Sequence, residues 1–465
     1  MARPDMMNLN PLIFREYDIR GTVGIDLNKE FAFTLGRAYG TLARDKGFNR
    51  IGIGYDCRLS SAGFASELAR GIATEKIDVV NIGMGPTPQL YFAIRELNLG
   101  GGIQVTGSHN PPDMNGFKLC LGTHTLSGPE IQDLLRRVRS LPPHTDNGES
   151  VGVITNADIS EVYKNNLIDN CRPHYGARKL KVVCDGGNGV GGLIGPDVLR
   201  ALGAEVIELY CEPDGRFPNH HPDPTDIKSL TDLRALVRES GADLGIGWDG
   251  DADRIGVVDE QGEVLFGDML LLIYARAILE KVPGATIIGD VKCSSLLFDD
   301  LKERGANGIM WKTGHSLIKG KLNECNGELA GEMSGHIFFK HRYYGFDDAL
   351  YASLRLLEIL SNTDKPLSAL LEGLPKMYST PEIRVDCPED LKFKVPSLLR
   401  EHLSGYPIND LDGVRIQFPN GWGLVRASNT QPVLVLRFEA TSLESLNEYQ
   451  SIVNSKLAKL RADSL

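Results

Sequence analysis

Four short stretches of this chain carry residue types whose spacing could do chemistry. The first, "TGSHNPPDMNGFK", sets Ser108 beside His109 in a loop bounded by Gly107 and by Pro111 and Pro112, with Lys118 closing it. Glycine and a proline pair hold a chain open as a loop. Ser108 is therefore expected to be exposed, a hydroxyl nucleophile with basic neighbours to handle its proton. No G-x-S-x-G elbow surrounds it, so a hydrolase triad has little support, and a serine-capped surface turn would explain the stretch if it stood alone. The second, "WDGDADR", supplies Asp249, Asp251 and Asp253, which an extended segment would point to one side. Three hard oxygen donors suit Mg²⁺ with a phosphate oxygen completing its shell. The run also imitates a calcium loop, with Glu260 at the twelfth position, but Arg254 stands where that loop needs glycine and "RIGVVDEQGEVLF" reads as a hairpin.

The third stretch, "GEMSGH", offers Glu332, Ser334 and His336, a carboxylate and a hydroxyl able to hold vicinal sugar hydroxyls. The fourth, "RASNTQP", joins the guanidinium fork of Arg426 to Ser428, Asn429 and Thr430, a donor set for a phosphate dianion. Either could be an ordinary turn. Arg20 in "REYDIRG", Lys292 in "DVKCSS" and His315 in "KTGHSLIK" add basic groups in polar loops beside strands, where each taken singly would read as a solvated charge.

These stretches need elements to position them, and one pattern recurs three times. An apolar strand ends in Asp and a small-residue turn, in "RIGIGYDCRLSS", "KVVCDGGNGVGG" and "TIIGDVKCSS", and apolar residues at helical period follow. Some tens of residues later a second apolar run delivers one of the polar loops. Loops leaving the carboxyl ends of parallel strands are where α/β folds bind ligands. The glycines at 186–192 lack the G-x-G-x-x-G order of a dinucleotide site and read as a tight strand-to-helix turn. The last part alternates as "GVRIQFPNG", "WGLVRAS" and "PVLVLRFEA" before a closing helix, an α+β module. Domains are expected at 1–155, 156–262, 263–373 and 374–465.

A net charge of −11 argues against non-specific binding to nucleic acid or an anionic membrane surface, so an anionic ligand requires a local basic pocket. No secretory signal or membrane span is evident, and the eight cysteines form no C-x-x-C pair. A cytoplasmic protein with its cysteines as small buried hydrophobes is expected.

The four motifs, in this order across nearly the whole chain, strongly resemble the α-D-phosphohexomutase superfamily, and "GEMSG" resembles its bacterial phosphomannomutase/phosphoglucomutase branch. The resemblance implies a four-domain, heart-shaped phosphohexomutase architecture, with three related α/β domains and a C-terminal α+β domain. It implies a Ser108 that carries a phosphoryl group and binds Mg²⁺ together with Asp249, Asp251 and Asp253. Ser108, His109, Lys118, Arg20, Arg254 and His336 would serve catalysis. Glu332 and Ser334 would grip sugar hydroxyls, Arg426, Ser428, Asn429 and Thr430 the non-reacting phosphate, and Tyr17, Lys292, His315 and His336 would line the substrate. Gln431 departs from the threonine common there.

The implied reaction moves a phosphoryl group between C1 and C6 of mannose and glucose phosphates through a 1,6-bisphosphate, with glucose 1,6-bisphosphate or mannose 1,6-bisphosphate as activator. The chain would act as a monomer on small hexose phosphates. A phosphoglucosamine mutase of the same fold, a sugar-phosphate-binding protein without turnover and a phosphoserine hydrolase are the alternatives.

Overall fold

In a computed structural model, which describes residues 9–144, 151–389, 391–429 and 432–463, the chain divides into two units. One comprises Met1–Leu270 with Ser334–Leu370, the other Leu271–Met333 with Leu371–Leu465.

The first unit holds two mixed sheets. In the first, Arg50–Tyr55 lies between Asp78–Met84 and Gly101–Val105, parallel to both, and Met114–Leu121 runs antiparallel beside Gly101–Val105 with Ile19–Thr22 at its other side. The central strands are buried almost end to end, which is why "RIGIGY" and "GGIQV" show little polar alternation. Helices Lys29–Asp45 and Ser61–Thr74 pack together over this sheet, the former started by Asn28, whose side chain accepts from Phe31 N at 2.8 Å. In the second sheet, Lys181–Asp185 lies between Glu205–Leu209 and Leu244–Trp248, parallel to both, and the hairpin Ile255–Asp259 with Val264–Leu265 extends it. That hairpin is the structure expected from "RIGVVDEQGEVLF".

Helix Ala349–Ser361 locks this region. Asp348 caps it by accepting from Tyr351 N at 2.9 Å, and its second oxygen accepts from the hydroxyls of Tyr163 at 2.7 Å and Tyr343 at 2.8 Å. Burial pushes the Asp348 carboxyl up to about 6 despite these donors. Trp248, fully buried, donates its indole N–H to Ser353 Oγ at 3.0 Å. The strand that ends at the acidic motif is thereby tied to the helix that follows His336.

In the second unit, Thr286–Asp290 pairs in parallel with Asn307–Trp311 and Leu329–Gly331. A six-stranded antiparallel sheet follows, with Val433–Ala440 beside Gly421–Ala427 and the latter beside Val414–Phe418. Helices Val395–His402 and Leu443–Asp463 cover its apolar core of Leu399, Ile416, Leu436, Tyr449 and Val453. Arg415 stacks 3.7 Å from the centroid of Trp422 and donates to Cys293 O at 2.9 Å, joining this sheet to the preceding one. The three strand–Asp–turn repeats are all present, ending at Asp56, Asp185 and Asp290. The eight cysteines are free and six are buried. Among the described residues no helix is long and apolar enough to cross a membrane.

Candidate active site

Strand Gly101–Val105 feeds Ser108, and strand Leu244–Trp248 feeds the acidic run, so two separate sheets deliver their loops to one place. Ser108 Oγ donates to Asp249 Oδ2 at 2.7 Å and lies 3.2 Å from His109 Nδ1. Contrary to the exposure expected from its glycine and proline neighbours, Ser108 is only 1% exposed. Long-range packing explains this: Asp249 stands over its hydroxyl and the Arg58 guanidinium donates to its carbonyl at 2.8 Å.

The acidic run is also not extended. Asp249 Oδ1 accepts from the backbone N–H of both Asp253 and Arg254 at 3.1 Å, and Ala252 adopts a positive φ of 55°. This Asp-centred turn, rather than strand alternation, brings the three carboxylates together. All three are fully buried, with ligand oxygens within 4.8 Å of one another. Lys118 is not in a loop but on strand Met114–Leu121, where its ammonium donates to Asp251 Oδ2 at 2.6 Å and to Asp253 Oδ2. Thr87 Oγ1 donates to Asp251 Oδ2 as well, at 2.5 Å.

Charges compete strongly here. Burial opposes the Lys118 charge, yet Asp251, Asp253 and Asp249 hold its titration above the usual lysine range. Burial with Asp251 and Asp253 pushes Asp249 up, whereas Lys118, His336 and Arg254 overcome burial and hold Asp253 down. Burial, Arg254 and Arg20 keep His109 well below the ordinary histidine value, so its ring is neutral near pH 7. Arg254 Nε donates to His336 Nε2 at 3.2 Å, and that nitrogen lies 3.3 Å from Asp253 Oδ1. Arg20, on strand Ile19–Thr22, donates to Asp18 Oδ2 at 2.6 Å and reaches Asn110 Oδ1 at 3.4 Å.

The first unit thus gathers Ser108, His109, Lys118, Arg20, Asp249, Asp251, Asp253, Arg254 and His336. Tyr17 is buried shortly before Arg20, and Ser334 is half-buried shortly before His336. The acidic residues fit a hard divalent cation on one further observation: Asp251 Oδ1 is buried and accepts no hydrogen bond from the described residues. A buried carboxylate oxygen without a donor is costly in protein and well used as a ligand.

The second unit gathers the remaining set. Glu332, in the loop after Leu329–Gly331, accepts from Gly314 N at 2.5 Å, and His315 opens helix His315–Glu324 instead of sitting in a loop. Lys292 is 5% exposed, not solvated; its ammonium donates to Glu382 at 2.7 Å, and that contact holds the Glu382 carboxyl down to about 2 against the effect of burial. Arg426 donates to Asp412 Oδ2 at 3.0 Å, an oxygen that also accepts from Thr313 N at 3.0 Å. Ser428 and Asn429 follow Arg426 in the turn between two strands, while Thr430 and Gln431 lie outside the described residues.

Sequence reasoning missed Arg58, Asp56, Thr87, Glu382 and Asp412. Only Asp56 leaves a signal, as the strand-ending Asp of the recurring pattern.

Four domain families match the chain in order. Phosphoglucomutase/phosphomannomutase alpha/beta/alpha domains I, II and III match residues 11–141, 161–262 and 266–378, and the C-terminal domain of the same family matches 382–456. A Pseudomonas putida phosphomannomutase/phosphoglucomutase is 44% identical over 97% of this chain and 96% of its own length. A Neisseria meningitidis serogroup A phosphoglucomutase is likewise 44% identical, over 97% of this chain and 98% of its own. A solved phosphoglucomutase/phosphomannomutase family protein from Burkholderia thailandensis superposes with a TM-score of 0.88 at 40% identity, covering 97% of this chain and 98% of that one.

Proposed function

We propose the following reaction for a chain that belongs to the phosphoglucomutase/phosphomannomutase family: reversible phosphoryl transfer between C1 and C6 of glucose and mannose phosphates through Ser108 and a 1,6-bisphosphate. The observation that carries it is the 2.7 Å hydrogen bond from the Ser108 hydroxyl into the buried cluster of Asp249, Asp251 and Asp253. A nucleophile joined to three hard oxygen ligands is equipped for phosphoryl transfer, in which positioning and charge stabilisation dominate.

Phosphorylated Ser108 gives its phosphoryl group to the free hydroxyl of a hexose 1-phosphate: the phosphorus–Oγ bond breaks, a bond to the sugar oxygen forms, the sugar hydroxyl passes its proton to one of the groups named below, and Oγ takes up a proton as it leaves. The bisphosphate turns over, its C1 phosphoryl group returns to Ser108, and hexose 6-phosphate leaves. Mg²⁺ held by Asp249, Asp251, Asp253 and the phosphoserine would neutralise phosphoryl charge. Neutral His109, 3.2 Å from Oγ, is suited to exchange a proton with it, and Lys118 and His336 are the other proton-transfer candidates. Arg254 and Arg20 supply positive charge for the phosphoryl oxygens. The family resemblance assigns Glu332 and Ser334 to sugar hydroxyls, Arg426, Ser428, Asn429 and Thr430 to the non-reacting phosphate, and Tyr17, Lys292 and His315 to the substrate. Four domains divided near residues 155, 262 and 373, a monomer, a cytoplasmic location and activation by a hexose 1,6-bisphosphate belong to the same reading.

The test is initial rates on mannose 1-phosphate, glucose 1-phosphate and glucosamine 1-phosphate, with Mg²⁺ and a trace of glucose 1,6-bisphosphate. Comparable turnover of the first two is expected; preference for glucosamine would overturn the sugar assignment, and silence on all three the reaction. A second expectation concerns Gly250, where a Cβ would run into the Ser108 carbonyl and lie 3.6 Å from Pro222 Cγ. Gly250→Ala should displace the serine loop and lower kcat by roughly 10- to 100-fold, since small misplacements of reacting groups cost about that much. Rates at saturating substrate on a folded variant check it.

A further inference from the structure

Arg58 has its side chain wholly out of solvent, and its guanidinium donates to four carbonyls of a single loop. Nη1 donates to Pro111 O at 2.5 Å and Met114 O at 2.9 Å; Nη2 donates to Ser108 O at 2.8 Å and Asn110 O at 2.5 Å. Asp56 balances the charge, with Oδ2 3.2 Å from Nε. The same carboxylate accepts from Thr106 Oγ1 at 2.7 Å, and Thr106 Oγ1 accepts from Ser108 N at 2.8 Å. Both the amide and the carbonyl of Ser108 are thus tied to the Asp56–Arg58 pair.

Three features show how specific the arrangement is. Ser108 adopts a left-handed φ of 50°, a conformation a non-glycine residue keeps only where its surroundings over-determine it. Gly107 leaves room for the guanidinium, since a Cβ there would lie 2.5 Å from Arg58 Cζ and Nε. The Phe217 ring, 5.0 Å from Cζ, stacks on the cation.

We propose that Arg58 is a positioning residue for phosphoryl transfer: by fixing the Ser108 peptide groups it aims Oγ at Asp249 without touching substrate. This rests on the reaction proposed above. A relaxed loop would let Ser108 leave the left-handed region and swing Oγ out of the 2.7 Å contact. Lysine cannot replace the function, because one ammonium has three donors at a single point where a planar fork spans four carbonyls.

The test compares Arg58→Lys and Thr106→Val with wild type and Ser108→Ala on glucose 1-phosphate, with Mg²⁺ and glucose 1,6-bisphosphate. The readouts are kcat and KM separately, melting temperature, and the rate at which Ser108 takes up a phosphoryl group from the bisphosphate by intact mass. Expected are a kcat loss of about 100-fold in Arg58→Lys and about tenfold in Thr106→Val, with KM within twofold and phosphoryl uptake slowed in parallel. A raised KM with kcat retained, or a rate loss no larger than the loss of folded protein, would overturn the proposal. Should Arg58→Lys fail to fold, the near-isosteric Thr106→Val decides, and wild-type kcat there counts against positioning. A wild type silent on hexose phosphates would overturn the reaction and this inference together, whereas an active wild type with unaffected variants overturns the positioning role alone.

Discussion

Ser108→Ala is expected to lower kcat for hexose-phosphate interconversion by about 10⁴-fold or more, the scale seen when a covalent nucleophile is removed. Oγ is the atom that carries the phosphoryl group in the proposed reaction, and nothing beside it can substitute. His109 Nδ1, 3.2 Å away, belongs to a ring that burial, Arg254 and Arg20 keep neutral, Asp249 already accepts from Oγ, and Asp251 and Asp253 accept from Lys118. The loop should survive the change, because Arg58 and Thr106 hold the backbone of residue 108 and not its side chain. Binding of glucose 1-phosphate, read by titration calorimetry, should therefore stay within a few-fold of wild type while turnover vanishes. Incorporation of one phosphoryl group from glucose 1,6-bisphosphate, read by intact mass, should vanish with it. Activity within tenfold of wild type would remove Ser108 from the mechanism.

Much of the framework is readable from residue order alone, for a local reason. A strand that ends in Asp and a glycine-rich turn is defined by its own few residues, so the repeats at Asp56, Asp185 and Asp290 and the polar loops at 106–110 and 249–254 are visible without tertiary information. The errors arise where distant segments meet. Ser108 reads as exposed because the group that buries its carbonyl lies 50 residues earlier, and Asp249 lies 141 residues later. The acidic run reads as extended because alternation is the simplest geometry for D-x-D-x-D, but Asp249 takes the amides of residues 253 and 254 and folds the segment on itself. Asp412 leaves no local trace, since its role is to hold Arg426 and Thr313 N, and neither contact is encoded near it.

Asp251 offers the sharpest separation of chemistry from packing, because its two oxygens do different things. Oδ2 accepts from Lys118 Nζ at 2.6 Å and Thr87 Oγ1 at 2.5 Å, and Oδ1 is the buried oxygen without a donor. Asp251→Asn can keep its amide oxygen toward Lys118 and Thr87, so the fold should be little changed. Its NH₂ would then replace Oδ1, presenting a donor where a cation needs a ligand. Turnover should fall by roughly 10³-fold, the order expected when charge stabilisation of a transferring phosphoryl group is withdrawn. Mg²⁺ should raise the melting temperature of wild type, by the equivalent of about 2.7 kcal/mol at a hundredfold excess over Kd, and leave Asp251→Asn nearly unmoved. Asp251→Ala should behave differently. It removes a partner from a buried ammonium, and breaking a buried ion pair costs about 3–5 kcal/mol, so this variant should lose stability as well as activity. Equal Mg²⁺-dependent stabilisation of wild type and Asp251→Asn would mean that Asp251 Oδ1 is not a ligand of the ion and serves packing alone.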